Sequence, residues 1–161
     1  MRDQSLKAFI PELGELVGMT RFALYERLRV LARAGLLKAV PGHGAGTGVR
    51  ATPQTVATLL VAILSTDDLA DTAERAKTFA GLKSSDPCRL TGKTRFVDAV
   101  AEVLRLKLDA TVGVGRRDQV ATIFDRDGVS HFGKPLPKGG VDVGANLTAA
   151  TLKSIAEAME G

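Results

Sequence analysis

Gly18-Met19-Thr20-Arg21-Phe22-Ala23-Leu24-Tyr25-Glu26-Arg27-Leu28-Arg29-Val30-Leu31-Ala32-Arg33-Ala34-Gly35 has the pattern of a capped amphipathic helix between two glycines. Thr20 is a good N-cap residue, because a threonine oxygen can accept a bond from an amide of the first turn. It predicts a helix from Arg21 to about Ala34, with Gly35 ending it in the left-handed C′ position. At about 3.6 residues per turn, Leu24, Leu28 and Leu31 fall on one face, flanked by Ala23, Val30 and Ala34. Arg21, Tyr25, Arg29 and, further round, Arg33 lie on the other. Glu26 stands one turn before Arg29, the spacing at which opposite charges pair along a helix.

Upstream, Pro11-Glu12-Leu13-Gly14-Glu15-Leu16-Val17-Gly18 reads as a short helix. Pro11 suits the first helical position, Glu12 the first turn and Gly18 the terminus. Pro11 argues against one helix running straight through from Ser5. Two helices joined by so short a turn form an αα corner. Downstream, Leu36 to Val40 has strand composition, the glycines at 42, 44, 46 and 48 make a loop tip, and Val49-Arg50-Ala51 can return as a partner strand.

This succession resembles the winged helix-turn-helix domain of bacterial transcriptional regulators, and is similar in order and spacing to the MarR-like and MerR-like groups. The resemblance spans residues 5 to 52. It implies that the second helix lies in the DNA major groove, with Thr20, Arg21, Tyr25, Arg29 and Arg33 facing the duplex. It also implies that Lys38, His43, Thr47 and Arg50 act from a hairpin wing. The paired aromatics of the MerR-like recognition helix are reduced here to Tyr25. The chemistry agrees with the implication: arginine bonds bidentately to the major-groove edge of guanine, and a capped helix start suits a phosphate oxygen.

Charge points the same way. The chain has 161 residues and a formal charge of +4, a figure that says little as an average. Residues 1–65 hold eight basic and four acidic groups, and the remainder holds 14 of each. All of the net positive charge thus belongs to the segment with the helix-turn-helix spacing. With no Trp, one Tyr and six Phe, a stacking platform for single-stranded nucleic acid or RNA is poorly supplied.

Other motif-like stretches are incomplete. The alternating glycines from Gly42 to Gly48 do not form G-x-G-x-x-G and precede an extended segment instead of a helix. Gly92-Lys93-Thr94 is the tail of a phosphate-loop signature, but Pro87 stands where its first glycine belongs. His43 has no second metal ligand nearby, and Cys88 has no base partner in sequence. One cysteine excludes an internal disulfide and sets a reducing, cytoplasmic expectation. No leader is expected, and the longest apolar run, Leu59 to Leu64, is too short for a bilayer.

Thr52-Pro53 opens a helix to about Ser65, apolar nearly all round, so that its own domain or a second subunit must cover it. Helices are expected from Asp67 to Ala80, from Thr94 to Leu108 and from about Leu147 to Met159. Strands are expected at Thr111–Gly115, Gln119–Phe124 and Val129–Phe132, the last two joined through Asp127-Gly128.

The fold expected is α+β: residues 1–65 a winged helix-turn-helix with its following apolar helix, residues 66–161 helices with a small antiparallel three-stranded sheet serving oligomerisation or an unknown effector. The function expected is that of a sequence-specific double-stranded DNA-binding transcriptional regulator, a repressor acting as a homodimer, with no catalytic residue, metal or cofactor. The helix at 53–64 is a candidate dimer surface. Rival readings are an architectural, replication or packaging protein of a phage or mobile element, a winged-helix protein-interaction module, and a small enzyme, for which no motif is present.

Overall fold

A computed structural model describes residues 3–42, 48–134 and 142–161. The chain is α+β, with six helices and one four-stranded antiparallel sheet among these residues. Helix α1 spans Leu6–Val17, α2 Arg21–Arg33, α3 Pro53–Ser65, α4 Thr72–Ala80, α5 Phe96–Leu106 and α6 Ala149–Glu160. The strands are β1 Thr111–Gly115, β2 Val120–Asp125, β3 Gly128–Phe132 and β4 Gly144–Leu147, in the order β3-β2-β1-β4.

α1 begins earlier than its proline suggests. The Ser5 hydroxyl accepts from the Ala8 amide at 3.1 Å, and the Leu6 amide is held by the Val49 carbonyl at 2.6 Å, so the helix is secured before Pro11 is reached. Pro11 lies inside the helix. The bond it cannot make would have gone to the carbonyl of Lys7, an exposed residue. Leu6, Phe9, Ile10 and Leu13 form its buried face. Gly18 closes it in the left-handed region at φ 70°.

α2 is capped as its sequence predicts: the Thr20 hydroxyl accepts from the Ala23 amide at 3.2 Å. Gly35 follows the helix at φ 75°, and the Leu36 amide returns to the Leu31 carbonyl at 3.0 Å. The strand expected from Leu36 to Val40 is not formed. Strand composition needs a partner ladder, and among the described residues only Val40 finds one, exchanging two bonds with Gly48 at 3.0 and 3.1 Å. Arg50 pairs instead with Ser5, which ties the start of α1 to the segment entering α3.

α3 is the centre of the molecule. Thr52 and Thr55 cap it reciprocally, with Pro53 in its first turn. It packs against α2, α4, α5, β1 and β4, and every apolar side chain from Val56 to Leu64 except Ile63 is buried by its own chain. The apolar side chains of this candidate dimer surface are thus covered by the chain itself, with Ile63 only partly so. The core is one cluster running from Leu6 to Met159, so packing continues across residue 65 where the charge balance changes.

α4 starts at Thr72 instead of Asp67. Thr66 Oγ1 accepts from the Asp68 amide and Asp68 Oδ1 from the Ala70 amide, and these local bonds make a turn where a helix was expected. Phe79 is fully buried, while Leu69 in the preceding turn is 37% exposed. α5 faces inward with Phe96, Val97, Val100, Val103 and Leu104, and the Phe96 ring meets Phe132 of β3 at 5.4 Å.

The sheet has four strands, not three. β4 is short and reads Gly-Ala-Asn-Leu, with no β-branched residue to announce it. It forms because β1 offers a free edge: Val112, Gly113, Val114 and Gly115 pair with Leu147, Asn146, Ala145 and Gly144. One face of the sheet, carrying Val112, Val114, Ala121, Ile123, Phe132 and Leu147, is buried. α3 and α6 contact β1. No helix among the described residues is long and apolar enough to cross a membrane.

Candidate nucleic-acid interface

α1, the turn at Gly18-Met19-Thr20 and α2 form a rigid corner. Gly14 lets the two helices approach: a Cβ there would lie 2.7 Å from the Met19 carbonyl oxygen, and the Gly14 carbonyl accepts from the Met19 amide at 2.9 Å. Leu24 and Leu31 are buried and Leu28 half-buried, so one side of α2 is fixed against the protein. Its solvent side is thereby determined.

That solvent side carries four of the five residues expected to face the duplex from the helix. Thr20, Arg21, Arg29 and Arg33 are exposed. Thr20 spends its hydroxyl as the helix cap. Arg29, with 61% of its side chain exposed, pairs with Glu26 at 3.0 Å, the intrahelical contact that the spacing predicts. Tyr25 departs from expectation: it is half-buried and packs against the core.

Lys38 is exposed beyond the helix. Arg50 is half-buried, its guanidinium 2.9 Å from the Asp3 carboxylate. His43 and Thr47 lie outside the described residues. Arg21, Arg33 and Lys38 enter no ion pair among the described residues. The structure thus brings Arg21, Arg29 and Arg33 onto one helix surface, with Arg50 held apart by its own carboxylate.

Two residues of α2 escape the sequence reading. Phe22 is 74% exposed, more than any other large apolar side chain among the described residues. The helical period could have shown this, because Phe22 lies two positions from Leu24 and hence on the opposite side of the helix. Arg27 is the converse, a cation only 7% exposed. Its guanidinium donates to the Ala23 carbonyl at 3.3 Å and the Asp67 carbonyl at 3.1 Å, while its Nε finds no partner. Arg27 therefore fixes α2 to the segment after α3 and is not a groove contact.

The contact to Asp67 belongs to a larger arrangement at the end of α3. Arg75 donates from Nε and Nη2 to the Ser65 carbonyl at 3.3 and 3.2 Å, and its guanidinium lies 5.0 Å from the Phe79 ring centre. Arg116 donates through Nε to the Leu64 carbonyl at 2.8 Å and grips the Asp67 carboxylate with both terminal nitrogens at 2.7 and 3.1 Å. Those bonds from Arg116 hold the Asp67 carboxyl below its ordinary pKa of 3.8. A helix ends with carbonyls lacking intrahelical partners and a partial negative charge, and cations satisfy both. Three arginines from separate parts of the chain thus hold one end of the central helix and its continuation.

The remaining candidates resolve locally. Cys88 is buried; burial raises its pKa, but bonds with the Thr91 and Ser130 hydroxyls and the backbone at Thr91 and Leu90 outweigh that and hold it below the ordinary 9.0. The loop carrying it is pinned to β3, the Arg89 amide donating to the Ser130 hydroxyl at 3.0 Å. Asp125 accepts from the Asp127 and Gly128 amides at 2.9 and 3.1 Å, the turn-forming role that Asp127-Gly128 predicts. No group of His, Cys, Asp and Glu among the described residues is placed to hold a metal ion.

Comparison with protein-family models, with curated proteins and with solved structures finds no match for this chain.

Proposed function

We propose that the chain is a sequence-specific double-stranded DNA-binding transcriptional regulator, a repressor of winged helix-turn-helix type, which places α2 in the major groove. The observation that carries this reading is the solvent face of α2. Arg21, Arg29 and Arg33 are exposed along one helix whose other side is anchored by Leu24, Leu31 and Arg27. The three-residue turn from α1 and the short cross-connections of Ser5 with Arg50 and Val40 with Gly48 complete the proposed module.

In this reading Arg21, at the start of the helix, contacts phosphate or a base edge. Arg29 reaches a base edge after leaving Glu26; exposed pairs of that kind contribute about 0.3–0.5 kcal/mol, little beside the 1–3 kcal/mol of a bidentate arginine–guanine contact. Arg33 and Lys38 contribute at the backbone, and Arg50 does so when Asp3 releases it. One helix in one groove covers only a half-site, so the active form is a homodimer on an inverted repeat.

The test is selection of bound sequences from random duplex DNA at a stated salt concentration, repeated with Arg29→Ala. An enriched inverted repeat, lost in the variant, supports the proposal. Binding that is uniform across sequences and governed by salt alone would replace it with an architectural or packaging role. Absence of binding at low salt would refute both.

A further inference from the structure

Phe22 is the second residue of α2, and three-quarters of its surface stands in water beside Arg21 and one turn before Glu26. Positions 22, 26, 29 and 33 follow the helical spacing, so the ring heads the same stripe that carries Arg29 and Arg33. No apolar residue of the core competes for it, since Leu24 and Leu31 turn the opposite way into the protein. In helix-turn-helix docking the first residues of the second helix approach the base edges most closely. The apolar feature available on those edges is the C5 methyl group of thymine.

We propose that Phe22 is a specificity residue which packs its ring against a thymine methyl in the major groove. This rests on the function proposed above and adds to it a base identity. Charge complementarity selects the occupant: a ring flanked by the exposed Arg21 and Arg29 meets an apolar group displayed on a polyanion better than it meets an apolar protein surface. The half-buried Tyr25 is not free to take this part, which leaves Phe22 as the aromatic group presented by the helix.

The experiment uses the whole chain and the duplex obtained by selection, with each thymine of a half-site replaced in turn by 2′-deoxyuridine, which lacks only the methyl group. One replacement should weaken binding about fourfold, the worth of one buried carbon. Phe22→Ala should bind the thymine and deoxyuridine duplexes equally, with unchanged circular dichroism because the ring is not part of the hydrophobic core. The inference is overturned if the selected half-site contains no thymine, if no replacement affects the native protein, or if Phe22→Ala keeps the native discrimination. It is also overturned if Phe22→Ala converts a dimer to a monomer in sedimentation, since the ring would then serve an interface between copies. A native protein that binds the selected duplex yet ignores every methyl refutes the inference alone, whereas one that binds no duplex refutes the DNA-binding reading itself.

Discussion

Arg116→Ala separates two contributions that meet in one side chain. The first is the 2.8 Å bond from Nε to the Leu64 carbonyl at the end of α3. A hydrogen bond involving a charged group contributes about 1.5–3 kcal/mol, and the Arg116 side chain is only 17% exposed, so the value is not much diluted by solvent. The second is the two-nitrogen grip on Asp67, whose side chain is 88% exposed. Solvent screens that pair, and about 0–1 kcal/mol is its worth. Arg116→Ala should therefore cost about 2–3 kcal/mol, whereas Asp67→Asn should cost less than about 1 kcal/mol.

For a chain of this length each kcal/mol moves the thermal midpoint by about 2–4 °C, which gives a fall of roughly 5–10 °C for Arg116→Ala. Urea titration followed by circular dichroism at pH 7 and again at pH 3 measures both terms. Asp67 has its pKa lowered in the folded state, so the stability it contributes is present above the ordinary value of 3.8 and is lost as pH falls through the lower native one. The deficit of Arg116→Ala should thus shrink slightly at pH 3 while the carbonyl share persists. If Asp67→Asn costs as much as Arg116→Ala, or the deficit of Arg116→Ala vanishes at pH 3, the capping of α3 is not what Arg116 supplies.

Gly14→Ala should destabilise the fold although alanine is the better helix former by about 1 kcal/mol, because its Cβ would stand 2.7 Å from a backbone oxygen. Chemical denaturation checks the sign, and a gain in stability would refute the close α1–α2 approach. Cys88 should react with a bulky maleimide far more slowly in the native protein than in urea, despite its lowered pKa, because the residue is only 2% exposed. Mass spectrometry of timed samples decides this, and equal rates would show the loop opening readily.

Much of the architecture was legible because it depends on local chemistry. Thr20, Gly18, Gly35, Thr52 and Pro53 mark helix ends through bonds and torsions within a few residues, and the structure places those ends accordingly. β1 to β3 were visible in their β-branched residues and in Asp127-Gly128. Pro11 misled, because its local cost is met by an anchorage to Val49 that is remote in sequence. On the candidate interface, the pairing of Arg29 with Glu26 could be read from spacing alone. The fates of Tyr25, Arg27 and Arg50 could not, since each depends on what the rest of the chain brings against it.

Sequence alone was enough for the ends of α2 and α3, for the apolar face of α2, and for the concentration of positive charge before residue 65. Those properties follow from short-range capping, periodicity and counting. Only the tertiary structure decided that α3 is enclosed by its own chain, that Gly144–Leu147 becomes a strand on the free edge of β1, and that Arg27, Arg75 and Arg116 converge on the end of α3 and the residues after it. Each of these requires groups distant in sequence to satisfy one another's exposed edges, carbonyls or apolar surface. No local pattern encodes which partner arrives.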